Sequence, residues 1–126
     1  MTDVLLVCNK SGMFKSVKAL GHASYSSKGS DIVCAAITIL LRTAIDVLEK
    51  TDGISLSVDS SSRGNLAFLV EDAKEKTLDE ITKSRLICVG DFLRQGLSSL
   101  AQEFPENVQL RETINWYLSV EEYYGT

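Results

Sequence analysis

The sequence predicts an α+β fold in which a mostly antiparallel sheet packs against two helices. Three observations lead there. Short runs of β-branched residues and leucine come in pairs joined by turn-like segments, the pattern of hairpins. Two long segments carry apolar residues at helical spacing, one after each hairpin. The chain has 126 residues, 44% hydrophobic and 24% charged, enough to bury a core without disulfides or metals. The resulting order is ββαββαβ, in one domain spanning residues 1–126.

The elements follow in turn. "DVLLVC", from Asp3 to Cys8, is a strand, and "NKSG", Asn9 to Gly12, is a turn by composition. A second strand runs from Phe14 to Gly21, with Val17, Ala19 and Gly21 on one face and Lys18, Leu20 and His22 on the other. Ala23 to Gly29 has no apolar period and reads as a mobile loop. A helix is then expected to open, with Ser30 or Asp31 as its N-cap and Ile32, Val33, Ala35, Ala36, Ile37, Ile39, Leu40 and Leu41 following at once. Gly53 suits its C-terminal stop. Ile54 to Val58 and Asn65 to Val70 alternate as strands around a loop at Asp59 to Gly64. The charged stretch after them is a solvated loop or helix face. A second helix starts near Leu78 or Ser84 and runs to Phe104, where Pro105 ends it. Val108 to Ile114 is a final strand, and the tail after it reads as strand or helix.

Composition narrows the function. The net charge is −4 and no Lys/Arg cluster appears, which argues against nucleic acid as a partner and leaves a basic peptide or protein acceptable. The N-terminus has an acidic residue and a short apolar run, unlike a signal peptide. "DIVCAAITILL" is 11 residues long, too short for a membrane span of about 20. Cys8, Cys34 and Cys88 are odd in number and widely spaced, so neither a disulfide framework nor a metal site is expected, and no cofactor is implied. These features predict a protein of the reducing cytoplasm.

The only histidine, His22, stands twelve positions before Cys34, across the serine-rich loop. A cysteine attacks as its thiolate, which the start of a helix and a neighbouring imidazole both favour. If Ser30 or Asp31 caps the helix, Cys34 falls in its first turn, and the strand carrying His22 leads into the same region. Each residue also has a bland reading: an inert core thiol and a structural histidine at a strand end.

"GHA", a short loop, "G", one residue, then "DIVCAA" resembles the signature of the ribosomal-processing cysteine protease family, Prp. The matching positions are Gly21, His22, Ala23, Gly29, Asp31, Ile32, Val33, Cys34, Ala35 and Ala36. A looser likeness extends over most of the chain. The segment around Glu75 to Lys83 and the tail after Ile114 look longer than is usual for the family.

The resemblance implies a homodimeric bacterial cysteine endopeptidase. Its substrate would be the N-terminal extension of a large-subunit ribosomal protein, the one numbered twenty-seven, whose removal supports ribosome assembly. It also implies Cys34 as nucleophile and His22 as proton donor and base. Backbone N–H groups near Val33 and Cys34 are candidate oxyanion donors. Asp31 reads as a helix cap or first-turn acid, or as a group orienting His22. Gly21, Gly29 and Thr38 are candidate supporting positions.

Two other functions compete. One is a non-catalytic module of the same fold that grips a ribosomal or other basic peptide. The other is a thiol redox sensor at Cys34, which lacks an evident resolving cysteine nearby. Trp116, Tyr117, Tyr123 and Tyr124 make the tail aromatic, for packing on the sheet or for a dimer contact.

Overall fold

The computed structural model describes residues 1–21, 28–60, 65–71 and 75–114. Its elements are β1 (Thr2–Cys8), β2 (Phe14–Leu20), α1 (Lys28–Glu49), β3 (Ser55–Asp59), β4 (Leu66–Glu71), a single 3-10 turn (Glu75–Thr77), α2 (Glu80–Glu103) and β5 (Val108–Ile114). The predicted ββαββαβ order is the observed one. Each strand lies within one residue of its expected bounds, because period-2 burial marks strand ends well. The aromatic tail lies outside the described residues.

The five strands form one sheet in the order β3-β4-β2-β1-β5. Three pairings are antiparallel, and β5 lies parallel to β1. At the first hairpin the register shifts: Val7 faces Ser16, whereas Cys8 faces Phe14. Lys15 is thus an extra residue, a β-bulge, and it turns Phe14 onto the same face as Val17. There the Phe14 ring meets Phe68 with centroids 5.2 Å apart.

That face holds the core. Val4, Leu6, Val17, Phe68 and Val70 from the strands join Val33, Ile37, Leu41 and Leu48 of α1 and Leu86, Val89, Leu93 and Leu97 of α2 in one buried cluster. Both helices therefore lie on the same side of the sheet. Their apolar residues recur every three or four positions, which places them along one stripe.

The helices run antiparallel and are tied at one end. Thr51, just past α1, donates to the Val47 carbonyl at 2.8 Å and accepts from the Arg85 Nε at 3.0 Å. The Thr82 hydroxyl donates to the Asp52 carbonyl at 3.2 Å. Asp79 caps α2, accepting from the Thr82 N–H at 2.7 Å. This cap fixes the start of α2 at Glu80, between the two positions the sequence offers.

Candidate active site

β2 ends at Leu20, beside the start of β1 through the pair Asp3–Leu20 and beside the start of β4 through Ala19–Leu66. The chain leaves the sheet there through Gly21. This residue has φ +73°, and a Cβ built on it would stand 3.1 Å from the Met1 carbonyl oxygen. Only glycine takes both the left-handed backbone and the close approach without strain. The Gly21 N–H donates to the Asn65 side-chain oxygen at 3.1 Å. Asn65, at the entry to β4, is thus a positioning residue that the sequence did not announce. Its one signal is an amide side chain directly after the turn-like "SSRG".

Gly21 is fixed from two sides, and the next residue is His22. His22 and the rest of 22–27 lie outside the described residues, as does most of the loop expected to be mobile.

The chain re-enters the structure as α1. The helix opens at Lys28, three or four residues before the start expected from a cap at Ser30 or Asp31. Several expectations change with it. Ser30 and Asp31 are not its N-cap but lie inside its first turn, so Asp31 keeps only the readings of first-turn acid or orienting group. Gly29 belongs to the helix and not to the loop. Cys34 is the seventh residue of α1, beyond the first turn. A helix leaves only its first four N–H groups unpaired, so those of Val33 and Cys34 are not free to hold an oxyanion. Those four fall instead at the very start of α1. Composition misleads here because glycine costs only about 1 kcal/mol inside a helix, and the buried stripe from Val33 onward carries the helix through it.

α1 runs from the Gly21 end of the sheet back to the far end, where it feeds β3. Cys34 therefore sits near the end at which β2 delivers Gly21. Val33 and Ile37 point into the core, Cys34 is half-buried, and Ala35 and Thr38 are exposed. Positions 31, 34 and 38 share one face of the helix. The other thiols are placed differently. Cys8 is buried at the end of β1, where burial pushes its thiol above the ordinary value although the nearby Arg94 guanidinium, 3.5 Å away, pulls the other way. Cys88 is exposed on α2. Among the described residues no three His, Cys, Asp or Glu side chains stand close enough to hold a metal ion. No helix among them is long and apolar enough to cross a membrane.

The described structure is thus an α+β sheet with two helices on one face and a half-buried thiol on the first of them. The model of the family described as cysteine protease Prp matches residues 1–109, and the chain belongs to that family. Solved structures share its fold. A Streptococcus mutans protein is 25% identical with a TM-score of 0.69, over 91% of this chain and 96% of that one. The essential ribosomal processing protease Prp of S. aureus, in complex with a substrate peptide, is 18% identical with a TM-score of 0.70, over 90% of this chain and 100% of that one. The same protease with a covalently linked product peptide is 22% identical with a TM-score of 0.65, over the same shares. No curated protein matches the chain.

Proposed function

We propose that the enzyme is an endopeptidase that removes the N-terminal extension of a bacterial large-subunit ribosomal protein, the one numbered twenty-seven, and so supports ribosome assembly. Cys34 is the nucleophile and His22 the proton donor and base. The observation that carries this reading is the family match over residues 1–109, which spans the whole "GHA"…"DIVCAA" motif. The S. aureus protease bound to a substrate peptide, and joined covalently to a product peptide, supports it.

The chemistry is acyl transfer in two halves. The Cys34 thiolate attacks the scissile carbonyl carbon, forming a C–S bond and a tetrahedral oxyanion. Collapse breaks the C–N bond, and His22 gives its proton to the departing amine. Water then attacks the thioester while His22 takes a proton from it. The C–S bond breaks, releasing the carboxylic acid and restoring the thiolate. The N–H groups at the start of α1, which have no partner within the helix, are the oxyanion donors closest in sequence to Cys34. Asn65 holds Gly21, the residue before the base. Gly29 lies at the start of α1 as a supporting position, Asp31 orients His22 or favours the helix start, and Thr38 borders the thiol one turn on.

The working form is a cytoplasmic homodimer of one domain per chain, residues 1–126. Ile32, Ile39 and Val47 support the dimer: they are 58%, 64% and 38% exposed on α1, and their spacing of seven and eight places them on one helix face.

The test is cleavage of a peptide spanning the extension, followed by mass spectrometry. Cys34→Ser and His22→Ala should each lower kcat/KM at least about a thousandfold, and the double variant should lose little more, since nucleophile and base act as one unit. Retained cleavage in Cys34→Ser would remove the assignment.

A further inference from the structure

The two helices do not cover the sheet evenly. α1 packs over β3 and β4, and α2 over β5, β2 and β1. One row on the helix side runs Leu6, Val17, Phe68, Val58. Its first three members are fully buried, yet Val58, which ends the row on β3, is 43% exposed. The next row toward Gly21 runs Val4, Ala19, Leu66. Among the described residues the β3–β4 pairing stops at Asp59–Ala67, so β3 supplies Leu66 no partner, and Leu66 is half-buried. The β3 edge thus carries an apolar, partly open corner near the Gly21 end of the sheet.

α1 turns its Cys34 flank toward this corner. Leu40 faces α2, since its tips meet the Cβ position of Gly96. Passing from Leu40 across the buried stripe of Ile37 and Leu41, the helix surface next presents Cys34, Thr38 and Arg42. With α2 on the β1–β5 half of the sheet, that flank overlooks β3. It is closed toward the far end by Ile45, which is buried. It opens toward Gly21, where Arg42 and Thr38 are exposed and Cys34 half-buried.

The helix contacts set the distance between Val58 and the thiol. Six residues before Gly96, Gly90 stands over Cys8 and Phe14. α1 runs antiparallel to α2, so Asp46, six residues after Leu40, is level with the row of Cys8. Val58 lies one row nearer Gly21, about 7 Å, which is four or five helical residues. It is therefore level with Leu41 and Arg42, and Cys34 stands about two turns, roughly 11 Å, beyond it. An extended peptide spans that in about three residues.

We infer that Val58, with Leu66 beside it, is the apolar floor of the substrate groove and selects an apolar substrate side chain about three residues from the scissile bond. Val58 and Leu66 offer a substrate side chain no polar atom, so apolar burial is what they supply. Arg42, exposed at the same level on α1, disfavours a basic side chain there. The inference rests on the assignment of Cys34 as nucleophile.

The test uses the intact protein and a peptide library varied at every position flanking the scissile bond, read by mass spectrometry. At one position about three residues from the cut, the parent should favour leucine, isoleucine or valine over serine or lysine by about tenfold in kcat/KM. Val58→Asp should erase that preference and raise KM about tenfold with kcat nearly unchanged, because the contact is made equally in ground and transition states. The iodoacetamide rate of Cys34 and the urea midpoint should hold, which separates loss of a subsite from damage to the nucleophile or the fold. Should Val58→Asp not fold, the isosteric Val58→Thr should weaken the preference several-fold. A flat profile from a protein that does cleave, or a profile unmoved in a folded Val58 variant, overturns the inference while the assignment of Cys34 stands. A preference for aspartate or glutamate at that position gives the groove to Arg42 and overturns it equally. A parent that cleaves no library peptide, or cleavage retained in Cys34→Ser, overturns the assignment of Cys34 and this inference with it.

Discussion

Gly21→Ala tests whether the end of β2 sets the position of His22. An L-residue held at φ +73° costs about 1–2 kcal/mol. The added Cβ meets the Met1 carbonyl at 3.1 Å, closer than the ~3.3 Å at which carbon and carbonyl oxygen usually touch. The Met1 carbonyl belongs to the peptide group whose N–H, on Thr2, donates to the Asn107 carbonyl at 2.8 Å, so relieving the contact adds to that cost. The stability loss should therefore be at least about 1–2 kcal/mol, read as a lower urea midpoint at constant slope. Gly53→Ala supplies the control. Gly53 has φ +84° with nothing within 4 Å of its missing Cβ, and it lies at the other end of the sheet. Both variants should lose stability, Gly21→Ala somewhat more. Only Gly21→Ala shifts the backbone that leads into His22, so only it should lower kcat/KM for peptide cleavage, by about tenfold, as misplaced catalytic groups do. Asn65→Ala, which removes the bond to the Gly21 N–H, should move activity the same way. If Gly21→Ala loses stability yet keeps full activity, as Gly53→Ala should, the positioning argument is wrong.

The remaining predictions concern the scaffold. Gly90→Ala and Gly96→Ala lie on the same helix yet should differ in sign when unfolding is followed in urea. At Gly90 the new methyl meets the Gly12 carbonyl at 3.2 Å and the Cys8 sulfur at 3.3 Å, in a turn pinned by Asn9, so overpacking should cost about 1–3 kcal/mol. At Gly96 it meets only the tips of Leu40 at 3.0 Å, which can rotate away, so the gain in helix propensity, up to about 1 kcal/mol, should prevail. Hydrogen bonds from Thr82 hold the Asp79 carboxyl below its ordinary value. A depressed folded value stabilises above the unfolded one, near pH 4, and the benefit fades as pH falls through the folded value. Asp79→Asn still caps but does not titrate, so its stability deficit against the parent protein should be present at pH 6 and shrink below pH 4.

The strands were readable because burial on one face imposes a period of two, and the described ends fall within a residue of it. The bulge at Lys15 was not readable: nothing in "GMFKSVKAL" says that Phe14 and Val17 share a face, since strict alternation separates them. The start of α1 was misplaced for a related reason. Serine and glycine before Asp31 look like a loop and a cap, but the helix is decided by the buried stripe that begins at Val33, whose partners lie far away in sequence. Cys34 stood out through its motif, whereas Asn65 did not, because its work is a single bond to a residue 44 positions away. The open end of the Val58 row was invisible too. Leu6, Val17, Phe68 and Val58 become neighbours only through the pairing of β1, β2, β4 and β3.

The corrected helix start changes how the thiol is activated. A thiol in the first turn would draw on the dipole of α1, which fades beyond that turn. Cys34, seventh in the helix, has passed it, so in the proposed mechanism activation falls to His22. Cys88 provides an internal comparison, since it is exposed whereas Cys34 is half-buried. If access alone sets alkylation, iodoacetamide should label Cys88 faster than Cys34, with the buried Cys8 last. If His22 activates Cys34, the order of the first two reverses, by about tenfold at neutral pH, because the thiolate is the reacting form. His22→Ala separates the two accounts. It should drop Cys34 below Cys88 and leave Cys8 and Cys88 unchanged, as read by mass spectrometry of each cysteine peptide over time. A Cys34 rate that survives His22→Ala would mean that the helix start, and not the imidazole, makes the nucleophile.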